Sequence, residues 1–220
     1  MSKSKRINTF YKKLYKRYGP QAWWPGDSTL ECIIGAILTQ NTSWTNAEKA
    51  ITNLKKERLI GIKELASLST EKLASLIRPS GYYNQKALKI KHFISFVVEN
   101  YQGDLESMFG KETRELRSKL LTIKGIGPET ADTILLYAGN KPVFVVDAYT
   151  YRVLSRHALV PQDTNYDEIQ ELFTDSLTED ATVYNEYHAL LVKVGKEHCR
   201  KRSPLCEGCP LQYDPHTILQ

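Results

Sequence analysis

The chain has 220 residues, 41% hydrophobic, 25% charged and 10% aromatic, with 30 Lys and Arg against 25 Asp and Glu for a net charge of +5. That balance suits a folded protein and excludes a largely disordered one, and the length is generous for one core of ~100–150 residues and comfortable for two. No apolar run approaches the ~18–20 residues that cross a bilayer, and the basic N-terminus lacks the apolar stretch of a secretion signal, so the expected setting is the cytoplasm with no membrane partner.

Residues 1–19 hold Lys3, Lys5, Arg6, Lys12, Lys13, Lys16 and Arg17 and no acid. Clustered cations gain by counterion release against a polyanion, so nucleic acid is the first partner to consider; a solvated helix face is the plainer reading. Residues 5–18 read as a helix with Ile7, Phe10, Tyr11, Leu14 and Tyr15 on one side. Ser28 and Glu31 have capping-box spacing ahead of the apolar segment 30–40, which predicts a buried helix with Cys32 as a small core residue. Shorter helices are predicted over 45–57 and 63–68, and one over 71–77 with Thr70 as its cap. Residues 84–101 carry Leu88, Ile90, Phe93, Ile94, Val97 and Tyr101 at helical spacing. Helices over 112–122, 128–138, 148–156, 166–177 and 181–197 complete the series, punctuated at Pro25-Gly26, Pro79-Ser80-Gly81, Gly125-Ile126-Gly127 and Gly139-Asn140. The one β-branched run, 142–146, is short. The expected fold class is all-α.

The turn Lys124-Gly125-Ile126-Gly127-Pro128 between two predicted helices is the most informative segment. Glycine permits positive φ and close backbone approach, and Pro128 suits the first position of the next helix. Amides of Gly125, Ile126, Gly127 and the first turn, including Thr130, would then face outward, the arrangement that holds a phosphate without reading sequence. An ordinary helix-to-helix turn is the plainer alternative. Twenty residues past Gly127, Asp147 ends the apolar run and opens the next helix, where it fits an N-cap as well as a catalytic carboxylate.

Taken with the Leu-Thr-Gln-Asn-Thr-Ser stretch at 38–43, the Gly81-Tyr82-Tyr83-Asn84-Gln85-Lys86-Ala87 turn and the terminal cysteines, the chain resembles the endonuclease III superfamily of helix-hairpin-helix DNA glycosylases over nearly its whole length. The resemblance implies a six-helix barrel with the hairpin over roughly 25–135 and a C-terminal helical domain with a cysteine loop over 136–220. The N-terminal helix, 1–24, packs on that second domain, and DNA lies in a cleft between the two. It implies Asp147 as the group that stabilises the sugar as it turns positive and that orients or deprotonates water. Bifunctional members carry an imine-forming lysine two residues after the second hairpin glycine; here that position is Glu129, so a monofunctional enzyme that leaves an abasic site is expected. Gln40, Asn41, Tyr82 and Tyr83 match the positions that fill the gap left by a flipped base, with helix-start packing as the alternative for the two tyrosines. The Trp-Trp-Pro and Leu-Thr-Gln-Asn-Thr elements, with Glu129 at the hairpin, are similar to the 3-methyladenine glycosylase branch. There Trp24 and Trp44 would stack on an alkylated purine, with hydrophobic core as the alternative for either ring. The expected partner is double-stranded DNA with a damaged base, and the expected form is a monomer at the nucleoid. An abasic-site lyase acting on oxidised or mismatched bases, and a non-catalytic DNA-binding scaffold, stay open as alternatives.

Cys199-x6-Cys206-x2-Cys209 matches the first three ligands of the family's 4Fe-4S loop. The fourth cysteine would fall at 215, which is Pro215; His216 is the adjacent candidate and Asp214 a weaker one. A cluster with a non-cysteine fourth ligand, a zinc site and a decayed loop of free thiols remain three readings. In each the loop is structural, and no cofactor is required for the chemistry. His92, His157, His188 and His198 read as structural or surface residues.

Overall fold

The structure, a computed structural model, describes residues 1–21, 23 and 26–217. Among them all regular structure is helical and no strand occurs. The chain forms two compact units: a continuous one, Trp24–Gly139, and a split one that joins Met1–Trp23 to Asn140–Gln220.

Helix α1 (Lys3–Tyr18) is capped by Ser2 and buries Ile7, Phe10 and Leu14, a spacing that puts all three on one face. Its basic residues occupy the remainder. It belongs to the split unit.

The continuous unit is organised by two helices. α2 (Thr29–Leu38) buries every residue from Leu30 to Leu38, so it runs through the interior. Ser28 caps it by accepting from the Glu31 amide at 3.2 Å. The expected capping box is half formed. The Glu31 carboxylate turns to Lys55 at 2.7 Å, because a charged group buried at 6% exposure is better held by a cation than by one amide. α3 (Trp44–Lys56), α4 (Ile62–Ser67) and α5 (Thr70–Leu76) follow, the last capped by Ser69, one residue ahead of the expected Thr70. A 3-10 turn, Arg78–Ser80, leads into α6 (Tyr83–Tyr101), which packs on α2, α4 and α5. α7 (Leu105–Phe109), capped by Asp104, has no counterpart in the sequence reading; five residues are too few to show a helical period.

α8 (Thr113–Leu121) and α9 (Pro128–Thr133) flank the glycine turn. The predicted single helix over 128–138 stops being α-helical at Thr133, and Ile134–Ala138 widens into π-helical turns packed on α2. Arg117 Nε and Nη2 meet both oxygens of Asp132 at 2.7 and 3.1 Å, and the Asp132 side chain is fully buried. This two-pronged pair fixes α8 against α9 and so fixes the turn between them.

In the split unit, residues 142–146 form no regular structure, with Val143–Val146 buried. α10 (Ala148–Arg156), α11 (Tyr166–Thr174) and α12 (Ala181–Glu197) complete it. α10 lies so close to α12 that a Cβ at Gly195 would stand 2.5 Å from the Tyr149 ring. Phe144 stacks on Phe173 at 3.8 Å, and the buried Tyr187 hydroxyl donates to the Ile7 carbonyl of α1 at 2.8 Å.

Candidate functional site

The hairpin turn is anchored from below and bare above. Ile123 and Ile126 are buried, whereas Gly125, Gly127, Pro128 and Glu129 are exposed. Gly125 has φ +93°, and a Cβ there would meet the Lys89 side chain at 2.5 Å, so both conformation and space demand glycine. Gly127 opens α9 with no side-chain cap and Pro128 at the first position, leaving the helix start without a protein acceptor from that residue. From α6, His92 Nδ1 lies 3.0 Å from the Lys124 carbonyl. Of the residues expected to meet DNA here, Ile126 and Thr130 turn their side chains inward. Ile126 fills the core under the turn, and the Thr130 hydroxyl accepts from Gln40 at 2.8 Å. Only their backbone remains available to a phosphate.

Gln40 departs from its expected place in the gap of an opened duplex. Its amide donates to the Gly125 carbonyl at 3.2 Å and to Thr130 Oγ1, while its own carbonyl accepts from Lys89 Nζ. Both ends of the side chain are therefore spent inside the unit, tying the end of α2 to the hairpin and to α6. One turn before Lys89, Lys86 is 2% exposed and donates to the Leu38 carbonyl at 2.8 Å and the Ser80 carbonyl at 2.6 Å. Burial, helped by the charge of Lys89, pulls its amine down to about 8. Lys86 thus holds the loop after α2 against the loop before α6. The readable signal was its register: 86, 90, 93 and 97 form one stripe of α6, and a lysine on an apolar stripe needs a buried acceptor.

These contacts frame a recess of about 190 Å³ lined by Gln40, Asn41, Tyr82, Gln85, Lys86 and Lys89. Asn41 and Tyr82 both have left-handed backbone, φ +53° and +46°. For a tyrosine this is a strained conformation, held by its surroundings. Tyr82 is 66% exposed. Tyr83 is half-buried, with the Arg78 guanidinium 5.9 Å from its ring centre. Trp44 is half-buried at the first position of α3. Trp24 lies outside the described residues.

In the split unit, Asp147 is the N-cap of α10. Its Oδ1 accepts from the Thr150 amide at 2.7 Å, so the capping alternative is realised in the structure. Its Oδ2 lies 3.6 Å from His188 Nε2 on α12, an ion-pair separation longer than a made hydrogen bond. The Asp147 side chain is 14% exposed and that of His188 8%. Burial pushes the carboxyl up, but His188 beside it and the Thr150 amide outweigh burial and hold it below the usual carboxylate range, so it is ionised at neutral pH. His188, read from sequence as structural or surface, is buried and stands beside this carboxylate, a pairing that the sequence reading did not foresee. Trp23 adjoins it with ring centres 6.2 Å apart, and the Lys196 ammonium lies 5.4 Å over the indole.

The terminal loop brings Cys199, Cys206, Cys209 and His216 to the lining of one small cavity of about 20 Å³. All four cysteines of the chain are reduced. Arg156 points a guanidinium N–H at Cys199 Sγ from 3.2 Å, and burial raises the Cys209 thiol. Asp214 is drawn away from any ligand role. Arg6 Nε reaches it at 3.1 Å and His157 Nδ1 at 2.9 Å, and these partners keep its carboxyl low against the pull of burial. Among the described residues no three His, Cys, Asp or Glu groups stand close enough to share one metal ion, which goes against a zinc site. Three thiols and one imidazole are, by their chemistry, a donor set of the kind that ligates a cubane cluster.

Residues 34–179 match the model of the HhH-GPD superfamily base excision DNA repair proteins. A provisionally named DNA repair glycosylase of Methanocaldococcus jannaschii is 48% identical, covering 96% of each chain. Endonuclease III of Thermotoga maritima is 32% identical over 82% of this chain and 79% of its own. Among solved structures, 3-methyladenine DNA glycosylase of H. pylori bound to 1,N6-ethenoadenine superposes with a TM-score of 0.76 at 31% identity, covering 90% of this chain and 98% of that one. A non-covalent endonuclease III–DNA complex superposes with a TM-score of 0.83 at 21% identity, over 97% and 95% of the two chains, and shares the fold.

Proposed function

The chain belongs to the HhH-GPD superfamily of base excision DNA repair proteins, and from that premise we propose that it is a monofunctional DNA glycosylase that removes alkylated purines from double-stranded DNA. The observation that carries this reading is at the hairpin. Position 129, exposed on the first turn of α9, is a carboxylate where the resemblance places the imine-forming lysine of bifunctional enzymes. Lys86, whose amine is depressed to about 8, would be chemically competent, but its two carbonyl acceptors and 2% exposure keep it from a sugar.

In the proposed reaction the C1′–N bond breaks with its electron pair going to the base. Asp147 stabilises the positive sugar and accepts a proton from the water whose oxygen bonds to C1′. The products are free base and an abasic site. A purine alkylated on a ring nitrogen is cationic and leaves as a neutral base, so modest catalysis suffices. Trp44, with Trp24, supplies aromatic faces that attract such a cation by ~0.5–2 kcal/mol each. The pairing of the H. pylori relative with an ethenoadenine supports a purine substrate.

Exposed Gly125 and Gly127 grip the phosphate backbone, and exposed Tyr82 with Asn41 fills the gap of the flipped nucleotide. Gln40 serves as the strut that holds Asn41 and the hairpin in register. Cys199, Cys206, Cys209 and His216 line one cavity and would hold a 4Fe-4S cluster, which would fix the terminal loop and take no part in bond breaking. The protein acts as a monomer on chromosomal DNA in the cytoplasm.

The test is excision across duplexes with methylated, oxidised, deaminated and abasic sites, with and without alkaline work-up, in parallel with borohydride trapping and iron analysis. Release of alkylated purines, strand cleavage only after alkali and no trapped adduct are expected. A covalent adduct at any lysine would replace this reading with that of a lyase.

A further inference from the structure

The proposed chemistry uses Asp147 but leaves its neighbour unexplained. His188 is 6% exposed on α12, forty-one residues along the chain, and directs Nε2 toward Asp147 Oδ2 across 3.6 Å. The two carboxylate oxygens are thus in different situations. Oδ1 is committed to the Thr150 amide at 2.7 Å. Oδ2 is the oxygen left for chemistry, and the imidazole is the side chain beside it.

We propose that His188 is the positioning residue for Asp147: it fixes the plane of the carboxylate, so that the second oxygen meets the sugar already oriented. The proposal rests on the glycosylase reading of Asp147. A capping carboxylate held at one oxygen alone can still swing about its last torsion, and a buried ring 3.6 Å from the other oxygen restricts that swing. Burial alone favours the neutral acid, which cannot stabilise a sugar cation. His188 and the Thr150 amide work in the opposite direction. Among the described residues, polar and charged groups near the pair include Thr150 from α10 and the Lys196 ammonium, which lies over the Trp23 ring next to the imidazole.

The experiment compares the full-length wild type with His188→Ala, His188→Gln and Asp147→Asn. Two readouts are taken: single-turnover excision of an alkylated purine as a function of pH, and the carbon-13 titration of the Asp147 carboxyl, identified by its absence in Asp147→Asn. His188→Ala is expected to slow excision by ~10–100-fold, the usual effect of losing an outer-sphere partner. It should also move the acid limb of the rate profile, and the carboxyl titration, to higher pH while affinity for abasic-site DNA stays unchanged. Gln, which retains a donor, should recover part of the rate. If Ala misfolds, Gln carries the comparison through its own shift in carboxyl titration. Unaltered rate and unaltered titration in the folded variant would overturn the proposal. A wild type that excises no base would overturn the glycosylase reading, and the carboxyl titration would still decide for or against the pairing.

Discussion

The hairpin and the start of α10 each bury an aspartate, and the two carboxylates are satisfied in opposite ways. Asp132 has no exposed surface and is met on both oxygens by one guanidinium, in the geometry that neutralises a carboxylate most completely. Asp147 keeps 14% of its side chain exposed, spends one oxygen on a backbone amide and faces a titratable ring with the other. A carboxylate closed on both sides can hold helices together but has nothing left for a substrate. One that is ionised, oriented and half committed retains a reactive oxygen. The difference lies in position as well as partners: Asp132 is the penultimate residue of α9, whereas Asp147 caps the start of α10.

Asparagine substitution separates the two cases most strongly. Asn caps a helix about as well as Asp, so Asp147→Asn should keep the fold and its melting temperature while removing the charge. Excision is expected to fall by ~10²–10³ or more, the scale of losing a principal electrostatic stabiliser, with DNA affinity retained. Full turnover by this variant would show that Asp147 is a cap and nothing else. At Asp132 the loss should appear as stability. Asp132→Ala removes both of the carboxylate contacts to Arg117 at a fully buried position and should cost about 3–5 kcal/mol in chemical denaturation, with the remaining folded protein excising base at the ordinary rate. A change of less than 1 kcal/mol (well under that ~3–5 range) would mean that the α8–α9 pair is held mainly by its apolar contacts.

How far the sequence carried differs between these regions for a physical reason. Caps and glycine turns are local: Ser28, the Gly125–Gly127 turn and the opening of α10 at Asp147 depend on residues within four positions of each other. The helix over 84–101 declared itself by its period. What stayed hidden was long-range polar pairing. Glu31 with Lys55, Asp147 with His188, and Arg6 with His157 and Asp214 are separated by 24 to 208 residues, and no spacing rule links them. Asp214 shows the consequence. Beside the cysteines in sequence it reads as a spare metal ligand, yet in the fold it is the acceptor that joins α1 to the end of α10 and the terminal loop. Gln40 was placed in the right loop by its neighbours, but its direction depends on Lys89 and Thr130, which lie 49 and 90 residues away.

The smallest expected effect concerns Lys86 and sharpens the contrast between holding and reacting. Its folded-state value, about 8, lies below the ordinary lysine value of 10.5, so between those two the unfolded chain binds a proton that the folded protein does not. Stability therefore rises with pH across that window, and below pH 8 the charged amine is carried at a cost that its two carbonyl acceptors only partly offset. Lys86→Met removes both the titration and the two hydrogen bonds. It should flatten the pH dependence of unfolding from about pH 8 to 10.5 and, by leaving the Leu38 and Ser80 carbonyls without their donor, lower stability at pH 7 by ~1–3 kcal/mol. Because those carbonyls belong to the loops that present Asn41 and Tyr82, base extrusion measured with a fluorescent purine analogue should weaken in the same variant, while the borohydride result stays as in wild type. If the variant keeps its extrusion signal, Lys86 stabilises the unit without setting the direction of Asn41 and Tyr82, and the strained tyrosine backbone must be held by the 3-10 turn alone.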